Sequence, residues 1–150
     1  MVSVSRKRDS PPPLFTRFGP AARRALRLAE QECRNHNHYY VGAEHVLLAL
    51  CAEPDSATLE FLADRGASPE SIRASARRAL GTGEDRSWEG IILTPRVKRI
   101  VELAELAAGP DVEIEPVHLL EGILREGRSR AAELLTGAQG NFRASPRVAG

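Results

Sequence analysis

One decapeptide occurs twice. Val41-Gly42-Ala43-Glu44-His45-Val46-Leu47-Leu48-Ala49-Leu50 returns as Ile114-Glu115-Pro116-Val117-His118-Leu119-Leu120-Glu121-Gly122-Ile123, 73 residues later. His118 falls on His45, and Leu119, Leu120 and Ile123 fall on Val46, Leu47 and Leu50. A unit that repeats at this period is one supersecondary element, too small to bury its apolar face alone, so two copies must share a core. Each copy reads as a short apolar helix, with Gly42 at the cap and Glu44 in the first turn of the first.

The flanking segments repeat as well. Ala22, Ala25, Leu26, Ala29 and Cys33 have the spacing of one buried helical face, and Val97, Ile100, Val101, Ala104 and Ala108 show it again. Pro20 and Pro95 open these two helices, and the first ends around residues 35–37. The first decapeptide helix stops at Pro54. Asp55 or Ser56 then starts a helix ending at Gly66, and Ser68 caps one that Pro69 opens and Gly81 closes. In the second half Thr94 is a cap, Gly109-Pro110 a stop, Pro116 a start, and residues 129–135 a further helix. The fold class is therefore all-α, a pseudo-two-fold tandem repeat of small helical units with seven to eight helices. Repeat one covers 15–81, a loop with the single Trp88 covers 82–92, and repeat two covers 93–136. Only Glu89–Leu93 has any strand pattern. Residues 1–14 are basic and proline-rich, a flexible tail; residues 137–150 are a tail or hold a weak eighth helix near 138–145.

A chain of 150 residues, 42% hydrophobic and 27% charged, suits one soluble domain. Its net charge of +1 points to neither nucleic acid nor membrane. No apolar run spans a bilayer, and Asp9-Ser10-Pro11-Pro12-Pro13 stands where a signal peptide needs its apolar segment, so a cytoplasmic setting is expected. Cys33 and Cys51 sit on apolar helix faces and read as buried free thiols. Cys33, His36 and His38 have no downstream pair to complete a metal site, and a capping or solvated role is expected for the two histidines. His45 and His118 read as satisfied core histidines. No cofactor, metal or enzymatic nucleophile is expected.

The segment Gly42-Ala43-Glu44-His45-Val46-Leu47-Leu48-Ala49-Leu50 resembles the GTEHILLGL signature of the Clp amino-terminal repeat domain. Leu93-Thr94-Pro95-Arg96-Val97-Lys98-Arg99 is similar to the start of that domain's second repeat. The resemblance covers residues 15–136. It implies an all-α domain of two four-helix repeats that receives substrates or adaptors for Clp unfoldases. No G-x-x-x-x-G-K-[ST] phosphate loop occurs in this sequence, so the implied role is a stand-alone, non-catalytic recognition domain acting as adaptor, substrate binder or decoy. Its implied partners are Clp unfoldase or protease components, adaptors and substrates, and phosphoarginine or cyclic peptides. The alternative is the same fold reused by a regulatory or structural protein unrelated to proteolysis.

Two surfaces follow as candidates. Some domains of the ClpC type take phosphoarginine at the signature, which puts Gly42, Ala43 and Glu44 forward: helix-start N–H groups attract phosphate, and a carboxylate holds a guanidinium. Ala43 replaces the signature's threonine and removes a hydroxyl. Pro116 and Val117 remove an N–H and the carboxylate from the second copy, so only the first is expected to bind. The other reading of Glu44 is stabilisation of its own helix dipole. The second candidate surface has Phe15 as an exposed anchor with Arg96 and Lys98 at its rim, while Phe18 and Leu93 are expected to staple the helices from within.

Overall fold

Prolines at first positions and small apolar stripes place the helices, as a computed structural model shows for residues 16–36, 38, 40–81, 83 and 92–137. Helix α1 (Pro20–Asn35) buries Ala22, Ala25, Ala29 and Cys33. A two-residue strand β1 (Tyr40–Val41) leads into α2 (Ala43–Ala52), which is buried on every side except at Glu44 and its last residue. Helices α3 (Ser56–Asp64) and α4 (Pro69–Leu80) complete the first repeat. Strand β2 (Ile92–Leu93) leads into α5 (Pro95–Ala108), followed by α6 (Pro116–Glu126) and α7, residues 130–137. The all-α expectation holds, with seven helices among the described residues. The tails, Phe15, most of the 82–92 loop with Trp88, and the region of an eighth helix lie outside the described residues.

The caps follow side-chain chemistry at the expected places. Asp55 Oδ1 accepts the Thr58 N–H at 2.9 Å, Ser68 Oγ the Ser71 N–H at 3.1 Å, and Thr94 Oγ1 the Val97 N–H at 3.2 Å. Ser129 Oγ accepts the Ala132 N–H at 3.0 Å and so starts α7. Arg65 caps α3, and Gly66, with φ 71°, takes the left-handed position just beyond.

The two repeats are interlocked by short parallel bridges. Tyr40 and Val41 pair with Ile92 and Leu93, and Phe18 pairs with Ile114. The Thr94 N–H donates to Val41 O at 3.2 Å, and at the related place the Gly19 N–H donates to Ile114 O at 3.0 Å. Thus the segment entering the first helix of each repeat pairs with the segment entering the second helix of the other. Phe18 is buried and Leu93 half-buried against the core, as expected of stapling residues.

Packing differs between the halves in a compensated way. Gly122 lies against α5 so closely that a Cβ there would stand 2.5 Å from Ile100 O. Its counterpart Ala49 faces the smaller Ala25, and both line a cavity of about 50 Å³. The second repeat exchanges this Ala–Ala contact for Ile100 over a glycine. Gly122→Ala is therefore expected to cost about 1–3 kcal/mol by overpacking, despite alanine's better helix propensity. A urea midpoint equal to that of the unmodified protein would show that α5 and α6 separate freely.

Candidate functional site

Three helix starts are gathered at one end. The Val41–Leu93 bridge sets the N-terminus of α2 beside that of α5, and Glu44 brings in α7: its Oε2 accepts the Ala131 N–H at 3.2 Å. Glu44 thus serves two helices, its own through the first-turn dipole and α7 through a direct bond. The sequence offered only the first of these. The bond joins positions 87 residues apart, and no local signal marks it.

The donors at this end are partly committed. Gly42 N–H donates to His45 Nδ1 at 2.9 Å and is not open, contrary to what the signature suggests. Gly42 and Ala43 are both buried. The first-turn N–H groups of Ala43 and Glu44 are those that helix geometry leaves without an intrahelical acceptor. Glu44 Oε1 points back to the start of α2, 3.5 Å from where a Gly42 Cβ would sit. Arg96, on the adjoining α5, is exposed and pairs with Glu126 at 3.2 Å; Lys98 is exposed on the same helix.

The related end, where α1 and α6 start, has different chemistry. The Glu115 N–H donates to His118 Nδ1 at 2.9 Å, repeating the histidine cap. Pro116 has no N–H, and Val117 stands at the place of Glu44. The Glu113 and Glu115 carboxylates come within 3.0 and 3.2 Å of the position of a Cβ on Gly19, crowding negative charge over the start of α1. Arg17 is turned to the backbone here, donating to Gly109 O and, at 2.8 Å, to Val112 O.

His45 is fully enclosed and carries both copies' shared device, a ring nitrogen accepting the cap N–H from the third helical position. The expectation of satisfied core histidines therefore holds for His45, while His118 is satisfied by the same bond but only half-buried. Its neighbour His38 departs from the solvated or capping role expected: it is 9% exposed, stacks on Tyr40 at 5.2 Å, and bonds through Nδ1 to His45 Nε2 at 2.8 Å. The reason is tertiary, since α2 brings His45 against His38. His36 does cap α1. Among the described residues no group of three or more possible ligands is placed to hold a metal. Cys33 and Cys51 are buried free thiols, each pushed up to about 12 by desolvation.

Burial lowers the His45 pKa from 6.5 to about 4, with His38 and His36 adding like-charge repulsion. A base whose folded pKa is depressed contributes stability above its unfolded pKa and loses it as pH falls toward the folded value. Folding stability is thus expected to decline between pH 6.5 and about 4, by roughly 3 kcal/mol at most from this group. Denaturation midpoints measured across that window check it. Glu44→Gln, which keeps shape and removes charge, is expected to cost about 0.5–2 kcal/mol and to lower hydrogen-exchange protection in residues 130–137.

Comparison with known proteins places this geometry. A family model, the Clp repeat (R) N-terminal domain, matches residues 17–138. The chloroplastic chaperone protein ClpC of Pisum sativum is 35% identical over 132 residues, 86% of this chain and 14% of that protein. The negative regulator of genetic competence ClpC/MecB of Bacillus subtilis (strain 168) is 32% identical over 124 residues, 81% of this chain and 15% of its own. Among solved structures, the N-domain of ClpV from Vibrio cholerae superposes with a TM-score of 0.71 at 17% identity, covering 87% of this chain and 83% of that one. A complex of the ClpV N-domain with VipB peptide gives 0.66 at 18%, covering 81% and 78%. No described helix is long and apolar enough to cross a membrane.

Proposed function

The chain belongs to the Clp repeat (R) N-terminal domain family, and from that membership we propose that it is a non-catalytic recognition module of a Clp unfoldase or protease system, working in the cytoplasm. Its cargo is a segment of an adaptor or substrate protein. A protein of this fold has been solved with a peptide, the ClpV N-domain with VipB peptide, which supports the assignment of peptides as ligands. The chain spans 14–15% of the length of the ClpC relatives named above, so the unfolding activity of a whole Clp protein is no part of this assignment.

The recognising end is the one where α2, α5 and α7 begin. The observation that carries this is the asymmetry of the two ends. The first has the Glu44 carboxylate and helix-start N–H groups, with Arg96 and Lys98 exposed on the adjoining α5 and Arg96 paired with Glu126. The second has Pro116, Val117 and two carboxylates crowding Gly19. A phosphoarginine side chain carries an anion and a guanidinium-derived donor face. The first end meets both, with N–H groups and cations for the phosphoryl oxygens and Glu44 Oε1 for the nitrogen donors. The second end repels the phosphoryl group. Ala43 supplies no hydroxyl, which weakens the site by about one charged hydrogen bond, roughly 1.5–3 kcal/mol.

Calorimetric titration with phosphoarginine is expected to show one weak site. Arg96→Ala and Glu44→Ala are each expected to weaken it about tenfold or more, and Glu115→Ala to leave it unchanged. Because Glu44 also holds α7 and Arg96 also pairs with Glu126, each result counts only where the melting temperature shows a folded protein. Two equal sites, or affinity untouched by both variants, would refute this placement. Magnesium and ATP are expected to give no heat of binding.

A further inference from the structure

The chain of bonds at the start of α2 fixes where its protons are. A backbone amide only donates, so the Gly42 N–H at 2.9 Å requires His45 Nδ1 to be unprotonated. Neutral His45 must then carry its hydrogen on Nε2, which donates to His38 Nδ1 at 2.8 Å. His38 Nδ1 is the acceptor that ends the series. His38 is also the member nearer to solvent, 9% exposed against 0% for His45.

We propose that His38 and His45 form a two-histidine proton switch that holds or releases the N-cap of α2. A proton from solvent binds His38 at Nδ1. That nitrogen becomes a donor and faces the Nε2–H of His45, so two hydrogens oppose each other in a 2.8 Å gap. His45 restores the bond only as its other tautomer, with Nε2 accepting and the hydrogen on Nδ1. The hydrogen on Nδ1 then faces the Gly42 N–H, and the cap is lost. One proton is taken up, and the His45 hydrogen leaves Nε2 and is replaced at Nδ1 by exchange with water. Gly42 directly follows β1, so the released cap loosens the Val41–Leu93 bridge and with it the paired starts of α2 and α5.

The surroundings tune this switch: Glu44 Oε1 and His45 Nδ1 lie 3.5 and 3.7 Å from the position of a Cβ on Gly42, so a carboxylate shares this cap with the nitrogen that the switched tautomer protonates. His36 stacks on His38 at 6.0 Å from the end of α1, and Tyr40 stacks from β1. Glu32 lies 3.8 Å from His36 Nδ1 and is itself 3.7 Å from Arg77 of α4, which draws its charge away from the histidines. Cys33, held as a thiol, donates to Tyr40 O at 2.7 Å. Desolvation and the His36 charge both lower the His38 pKa, which keeps the cap closed at neutral pH. Among the described residues the other cap has no such partner: His118 accepts the Glu115 N–H, and Asp111 stands 73 residues beyond His38.

Nitrogen-detected NMR of the histidine rings tests the proposal on the whole chain. At about pH 8, His45 is expected with Nδ1 bare and Nε2 protonated. Lowering the pH stepwise until His38 titrates should, with the same midpoint, move the His45 hydrogen to Nδ1 and reduce Gly42 amide protection about tenfold, the worth of one hydrogen bond. The Glu115 amide should not follow that midpoint. His38→Phe should make the Gly42 amide insensitive to pH until His45 itself titrates; His38→Gln serves if the phenylalanine variant does not fold. His38 titrating while the His45 tautomer and Gly42 amide stay fixed would overturn the switch, as would a response of the Gly42 amide in either variant above the range in which His45 itself titrates.

Discussion

Everything in this domain depends on extended dipeptides whose hydrogen-bond partners lie in the other repeat. Phe18 pairs with Ile114 and Val41 with Leu93, and each dipeptide runs straight into a helix. A helix start carries N–H groups that the helix itself cannot satisfy. Pairing the approaches in parallel sets two such starts side by side, and at the Val41–Leu93 bridge α7 brings a third. The pseudo-two-fold arrangement therefore produces two concentrations of backbone donors, one at each bridge, before any side chain is chosen.

Side chains then make the two ends unlike. Both use a histidine at the third helical position, whose Nδ1 takes the cap N–H at 2.9 Å. At the first end Glu44 ties α7 to α2 across the repeat boundary and leaves one oxygen facing the start of α2. At the second, Val117 makes no such tie, and Glu113 and Glu115 lie over Gly19. Divergence of this kind leaves the core intact, because the exchanged residues sit at helix starts. Within the core, changes come in compensating pairs such as Ala25 with Ala49 against Ile100 with Gly122.

Much of this was legible in the chain. The repeat, the helices with proline starts and the Asp55, Ser68 and Thr94 caps are local signals, and the structure has them where the spacing puts them. The site was legible only in outline. The signature located Glu44 and Gly42, but it made the Gly42 N–H an open donor, and that group is bound to His45. His38, expected in a solvated or capping role, is packed among His36, Tyr40 and His45, because the docking of α2 brings His45 against it.

The division has a physical basis. Helix period, capping and proline geometry act over three or four residues, so the sequence by itself determined two copies of a helical unit and most of their boundaries. Which carboxylate meets which helix start is decided over tens of residues, by how two faces dock. Only the tertiary structure joined Glu44 to Ala131, put Glu115 over Gly19 and closed Gly122 on Ile100. It also stacked His38 on His45, where the direction of a single amide N–H settles the tautomer of a ring that the sequence shows only as a repeated letter.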